Sequence, residues 1–352
     1  MIVKLRPSRL EPIFDARPWG VNSLAPLFPE QNNLKEKIGE AWLTGEKCRF
    51  ADGPFAGSTL GEAWTQMPVE CTGTKLRREG AFPILVKFIF TDDKLSVQVH
   101  PDDDYASQHE KQAGGRGKTE MWYFVSARPR SEILFGLKPG VERDSFRRAI
   151  DDATVENFVV RVPTNARDAI FVPAGTVHAI GAGFVLCEIQ EQSDITYRVY
   201  DYHRRNATGE TRALHVDKAM DVIRFGEQKG GKIEPVTIER GPLSETYIAA
   251  CRYFATERWE FSESIPRRTS PEHFDLLISI SGHGVIEANG EKIAYAPAQV
   301  WLIPAGLGAY QIAPQERTEL LRTYVPGNLD EYARLLGERG VSESQLAHLV
   351  HK

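Results

Sequence analysis

Glycine and proline cut this chain into short pieces, and that punctuation restricts it to a fold of short strands with few helices. Its 352 residues include 29 Gly and 21 Pro. The stretches between them are rich in Val, Ile, Phe and Tyr, and short β-branched and aromatic runs bounded by turn residues form strands. A mainly β chain with a minority of helices is therefore expected. The runs at 84–90, 94–100, 121–125, 169–172 and 185–190 are expected strands. Helical spacing appears at 141–150 and 214–225, and 328–349 reads as two short helices around Gly340.

The length suits one large domain or two ordinary ones. Polar, Gly-rich sequence around 228–242 marks a connection, which divides the chain into an N-terminal unit, 1–240, and a C-terminal unit, 241–352. An internal echo supports the division: Ile170-Phe-Val-Pro-Ala-Gly-Thr-Val-His178 is mirrored by Val300-Trp-Leu-Ile-Pro-Ala-Gly-Leu-Gly-Ala309. Counting five residues on from each proline aligns His178 with Ala309. The second copy therefore lacks that imidazole. Leu276-Leu-Ile-Ser-Ile-Ser-Gly-His-Gly-Val-Ile-Glu287 reads as a hairpin around a Gly turn.

The net charge of −5 lacks the clustered basic excess that a general nucleic-acid or anionic-membrane binder needs. An anionic small substrate would be met by local Lys and Arg. The stretch from Met1 to Arg9 has charges but no apolar signal core, and no later run approaches the roughly 18 apolar residues of a membrane span. A cytoplasmic location is expected. Cys48, Cys71, Cys187 and Cys251 are scattered without a C-x-x-C spacing, so reduced, packed thiols are expected.

The chemistry concentrates in a few polar positions. In Leu95-Ser-Val-Gln-Val-His100-Pro the apolar residues alternate with Ser96, Gln98 and His100, so Gln98 and His100 project to one side of a strand with Cα atoms about 6.8 Å apart. Glu120 stands where a Gly-rich loop enters an aromatic strand, and His178 follows its Pro-Ala-Gly turn. Taken alone, Glu120 reads as a solvated carboxylate and His178 as a core histidine. Taken together with Gln98 and His100, they form a mixed nitrogen and oxygen set suited to zinc and tolerant of other divalent metals. Lys118 and Arg116 lie on the basic Gly-rich loop, which on its own reads as solvated. Glu188, Gln190, Asp194 and Arg198 fall in a second polar block, and Arg198 suits an oxyanion or phosphate through its bidentate fork. Its bland reading is a surface arginine paired with Asp194 or Asp201.

Six segments in this order resemble the type I mannose-6-phosphate isomerases, a family of zinc-dependent cupins: Pro18-Trp-Gly20, Ile38-Gly-Glu-Ala-Trp42, Ser96-Val-Gln-Val-His-Pro-Asp-Asp103, Lys118-Thr-Glu120, Val172-Pro-Ala-Gly-Thr-Val-His-Ala179 and Gln192-Ser-Asp-Ile-Thr-Tyr-Arg198. The resemblance implies two cupin, or jelly-roll, β-barrels, the first with metal and the second without. It implies one zinc ion on Gln98, His100, Glu120 and His178. It also implies a sugar-phosphate substrate isomerised through a cis-enediolate, with Arg198, Lys118 and Asp194 catalytic and Ser96, Arg198 and Lys118 binding substrate. The chain lacks room for the inserted helical domain of the larger members and resembles the short bacterial form. Alternatives from the residues are a cupin-type glucose-6-phosphate isomerase, a non-catalytic sugar-sensing cupin and a metal-dependent dioxygenase on the same fold. Oligomeric state is not legible in the chain.

Overall fold

Short strands dominate the molecule, as the punctuation implies, and they assemble into four sheets. The computed structural model describes residues 4–76, 80–205, 208–226 and 228–352. Met1, Ile2 and Val3 of the N-terminal stretch lie outside them. In the first half a seven-stranded sheet runs in the order Gly231–Lys232, Ala169–Val172, Glu120–Ala127, Phe184–Glu191, Ile84–Phe90, Ile38–Trp42 and Ile13–Val21. It faces a five-stranded sheet of Tyr197–Tyr200, Val97–Val99, His178–Ala179, Glu132–Leu137 and Val159–Pro163. Trp122, Phe124, Ile170 and Leu186 from the large sheet meet Ile133 and Phe135 from the small one to form the core between them.

The second half repeats this plan strand for strand. Eight strands from Ile84–Phe90 to Phe184–Glu191 recur in the same order from Ala255–Phe261 to Thr318–Tyr324. Numbered one to eight in each set, the large sheet runs six-three-eight-one and the small sheet two-seven-four-five, the double Greek key of a jelly roll. Ser8–Leu10 and Val236–Arg240 extend the second large sheet at its two ends.

Period-two alternation explains how the halves meet. Inward residues of each large sheet fill its own sandwich, while the outward set packs the two large sheets back to back: Val86, Phe88, Met121 and Phe171 lie in one core with Leu276, Ile278, Val300 and Leu302. Burial of each such side chain contributes about 1.5–3 kcal/mol. The small sheet of the first half is covered on its outer side by the helices Arg143–Asp151 and Val216–Val222, whose Phe146, Ile150 and Met220 pack on Val97 and Val99. Those two valines anchor the strand so that Gln98 between them turns inward.

Several expectations are refined here. The sheets of each half share no ladder among the described residues, so the halves are open two-sheet sandwiches rather than closed barrels. The expected hairpin at 276–287 is not one: Asp275–Ser281 pairs within the large sheet and Gly284–Ala288 within the small one. A jelly roll sends these consecutive strands to opposite layers. The segment 228–242, expected as a plain connection, supplies Gly231–Lys232 to one half and Val236–Arg240 to the other. The helices Leu329–Glu338 and Glu343–Leu349 flank Gly340, whose φ of +94° needs a residue without Cβ. The four cysteines are free and buried.

Between the second pair of sheets, Arg322 donates to Glu257 at 3.1 Å and contacts Asp275 at 2.9 Å. Removing one member of a buried ion cluster leaves the rest uncompensated. Arg322→Ala should lower unfolding free energy by about 3–5 kcal/mol, measured by urea titration; an unchanged midpoint would show that these carboxylates do not depend on it.

Candidate metal centre and active site

Register places the first three site residues in a row. Gln98 lies opposite His178 on one neighbouring strand and opposite Arg198 on the other, so all three side chains leave the same face of the small sheet. His100 follows two residues after Gln98, one position beyond the strand. Glu120 opens its strand on the facing large sheet. The sandwich thus closes the expected group: ligand atoms of His100, Glu120 and His178 all lie within 4.8 Å of one another. Glu120 Oε2 is 3.6 Å from His100 Nε2, Glu120 Oε1 is 3.5 Å from His178 Nε2, and the Gln98 amide is 3.4 Å from His178 Nε2.

The donor set fits a divalent cation. His100 Nδ1 lies 2.8 Å from the Ile195 carbonyl and His178 Nδ1 lies 2.9 Å from the Thr176 carbonyl. Since a carbonyl only accepts, each Nδ1 carries the proton and each Nε2 presents a lone pair towards Glu120. Rotation of the Gln98 amide brings its oxygen to the same point. Burial holds both imidazoles neutral, with the Lys118 charge adding to the effect: His100 is pushed well below the ordinary range and His178 down to about 4. Neutral imidazoles and a carboxylate suit zinc and its neighbours in the divalent series.

Lys118 is part of this group rather than of a solvated loop. It is 4% exposed, its Nζ lies 2.7 Å from Glu120 Oε2, and it stands 3.3 Å from His100 Nε2. Burial alone would lower its pKa, but Glu120 and Glu188 outweigh that and raise it. Glu120, expected in isolation to be solvated, is 0% exposed. Its Oε1 accepts from Trp122 Nε1 at 3.1 Å.

Sequence reasoning missed the polar ladder that continues from here. Trp122, Glu188, Lys87 and Trp42 lie directly opposite one another on four neighbouring strands. Trp122 Nε1 also donates to Glu188 at 3.2 Å; Lys87 stands 4.0 Å from Glu188, 3.7 Å from Glu40 and 2.7 Å from Asp194. Arg17 grips Glu40 with two hydrogen bonds of 3.1 Å. Burial raises Glu188 to about 7 despite Lys118, whereas Lys87 and Arg17 overcome burial at Glu40 and hold it at about 2. A lone lysine inside the apolar run Ile84-Leu-Val-Lys87-Phe-Ile-Phe90 was the available signal.

The remaining expected residues are Asp194, Arg198 and Ser96. Asp194 is half exposed and borders a cleft of about 770 Å³ that Trp42, Asp15, Arg116 and Gln192 also line. Arg198 is half-buried; its Nε donates to Ser96 Oγ at 3.2 Å and its Nη1 to the Ala213 carbonyl at 2.9 Å. It is paired with neither Asp194 nor Asp201, and Ser96 is buried beneath it.

The second sandwich shows what the same frame does without these ligands. Val172 and Ile303, each preceding the proline of the echo, lie opposite Glu120 and Asp275. Arg268 lies opposite Ala309 as Gln98 lies opposite His178. The ladder Trp122, Glu188, Lys87, Trp42 is matched by Leu277, Arg322, Glu257, Tyr247. The acidic position is kept, both ring nitrogens are gone, and Arg322 supplies the balancing charge internally. Among the described residues only the first sandwich assembles three metal-ligating groups.

Comparison with known proteins agrees with this geometry. Residues 8–121 match the family described as phosphomannose isomerase type I, catalytic domain, and residues 244–325 match mannose-6-phosphate isomerase, cupin domain. A probable mannose-6-phosphate isomerase of Bacillus subtilis is 34% identical over 317 residues, covering 87% of this chain and 96% of that protein. The mannose-6-phosphate isomerase of Streptococcus mutans is 32% identical over 298 residues, covering 83% and 90%. A crystal structure of the mannose 6-phosphate isomerase from Bacillus subtilis superposes with a TM-score of 0.81 at 28% identity, covering 90% of this chain and 99% of that one. No helix among the described residues is long and apolar enough to cross a membrane.

Two outcomes follow from the site. His178→Ala should purify with its divalent metal content reduced to near zero, read by elemental analysis against the unaltered protein; retained metal would remove His178 from the ligand set. Glu40 is depressed in the folded state, so its contribution is present above the unfolded value of about 4.3 and lost as pH falls towards about 2. The stability gap between the unaltered protein and Glu40→Gln, about 3 kcal/mol from that difference, should therefore shrink from pH 5 downwards in denaturant titrations.

Proposed function

The chain belongs to the type I mannose-6-phosphate isomerase family, and from that premise we propose that it interconverts mannose 6-phosphate and fructose 6-phosphate by moving a proton between C1 and C2 of the open-chain sugar. The observation that carries this reading is the placement of Lys118 and Arg198 beside one buried row of metal-ligating groups. A sensing module has no need of a buried ammonium among its ligands. A sugar phosphate does not cross membranes unaided, which supports the reading of a cytoplasmic reaction.

Gln98, His100, Glu120 and His178 would hold zinc, whose Lewis acidity favours negative charge on the substrate's carbonyl-derived oxygens. Lys118, kept charged by Glu120 and Glu188, donates a hydrogen bond or proton to those oxygens and does not act as the base. Glu188, buried between Lys118 and Lys87 at 4.0 Å from each, is the carboxylate placed to hold the transferred proton. Asp194 at the mouth, joined to Lys87, serves ring opening. Arg198, oriented by Ser96, offsets charge on the sugar as it develops. Catalysis belongs to the unit before residue 240, and the unit after it serves as the packed partner of its large sheet.

The deciding experiment incubates the purified protein with mannose 6-phosphate and, separately, glucose 6-phosphate while following fructose 6-phosphate. Activity on the mannose compound is expected; activity on glucose 6-phosphate alone would replace this reading with the glucose-specific one. Arg198→Ala and Lys118→Met should each lose about 100-fold or more in kcat, with Arg198→Ala retaining metal and fold. Unchanged turnover in Arg198→Ala would return that residue to the protein surface in function as well as in name.

A further inference from the structure

Lys118 stands two residues before the strand that opens with Glu120, so its backbone is set by bonds outside that strand's ladder. Three consecutive amides set it. Gly117 N donates to Asp103 Oδ1 at 2.9 Å, Lys118 N to the Pro101 carbonyl at 3.0 Å and Thr119 N to Glu191 Oε1 at 2.7 Å. Glu191 N returns a bond to the Thr119 carbonyl at 3.2 Å. The segment runs so close to Asp102 and Asp103 that a Cβ on Gly117 would meet the Asp103 nitrogen at 2.6 Å, which leaves room only for glycine.

The two carboxyl groups in this set are hydrogen-bonded to each other. Glu191 is buried, and burial followed by the Asp103 charge holds it well above the ordinary carboxyl range, so it keeps its proton and donates it to Asp103. The further partners of Asp103 come from the second half. Tyr253 Oη donates to Asp103 Oδ2 at 2.8 Å, and Arg252 Nη2 binds the same oxygen. Both residues stand in the turn between Leu243–Cys251 and Ala255–Phe261. Cys251 N closes that turn on the Phe254 carbonyl at 2.8 Å, and Phe254 is fully buried with its ring 6.4 Å from that of Phe171, on the strand paired with Glu120. Core packing thus anchors the turn, and Tyr253 reaches Asp103 from a fixed point. Arg252 is exposed and adds a weak ion pair, so the half-buried Tyr253 is the stronger link.

We propose that Tyr253 of the second half is a positioning residue for Lys118: its hydroxyl fixes Asp103, and Asp103 with Glu191 fixes the 117–119 backbone that aims the ammonium at Glu120. Under the isomerase reading, on which this rests, the second half then sets the geometry of the reacting site in addition to packing against the first.

Tyr253→Phe, which removes the hydroxyl and keeps the ring, is the direct test on the full metal-loaded chain. Misplacing a catalytic group by about 1 Å costs about 100-fold. With the other partners of Asp103 retained, the variant should lose about tenfold in kcat for mannose 6-phosphate, with KM changed less than about twofold. Asp103→Asn should lose at least as much, and the double variant no more than Asp103→Asn alone, because both act through one carboxylate. Ile278→Val, in the core where the two large sheets meet, should lower the unfolding midpoint and leave kcat within about twofold, which separates a general loosening of the halves from the loss at Tyr253. Hydrogen exchange reads the tether without substrate: the Gly117 and Thr119 amides should exchange about tenfold faster in Tyr253→Phe, while those of Leu276 and Ile278 do not. Unchanged exchange at 117 and 119, unchanged kcat in Tyr253→Phe, an equal loss of kcat in Ile278→Val, or additive losses in the double variant would overturn the assignment. Faster exchange in a chain inactive on mannose 6-phosphate would support the tether and remove the isomerase reading instead.

Discussion

A fully buried glutamate cannot stand alone, and the first half of this molecule is organised around that constraint. Burying an uncompensated carboxylate costs several kcal/mol. Glu120 is met by Lys118, by the indole of Trp122 and by two imidazole nitrogens whose protons are turned away from it. Lys118 in turn requires Glu188, Glu188 requires Lys87, and Lys87 requires Glu40 and Asp194. Acidic and basic side chains alternate from the centre of the sandwich to its rim.

The same frame occurs twice with the signs rearranged. In the second half the position of Glu188 is Arg322 and that of Lys87 is Glu257, so the ion pair across those two strands survives with its polarity reversed. Asp275, at the position of Glu120, then finds its cation within the protein. One copy of the plan leaves an electron-rich pocket and the other fills it with a guanidinium. That contrast separates what the jelly roll needs, a satisfied inner ladder, from what the first half adds, two imidazole nitrogens turned towards the same carboxylate.

How much of this was legible follows from how local each signal is. The strands at 84–90 and 169–172 stand as expected, because uninterrupted apolar runs between turn residues are strands wherever they pack. The side shared by Gln98 and His100 was legible from alternation alone. The strand around them is shorter than expected, Val97–Val99, because its partner His178–Ala179 is itself only two residues long. Lys118 was misjudged as solvated on its own sequence, since the carboxylate that helps keep it charged in the interior comes from Glu188, seventy residues away. The false hairpin at 276–287 arose for the same reason: a glycine turn says that the chain reverses, not that the two arms share a sheet.

The two sheets of the first half have no hydrogen-bonded ladder in common among the described residues, yet the candidate ligands are divided between them. Gln98, His100 and His178 belong to the segment of the small sheet, and Glu120 alone belongs to the large one. An ion held by all four would consequently be a rivet through the sandwich, tying its layers where no backbone ladder does. Its chemistry and the mechanical closure of this half would then share a single fastening.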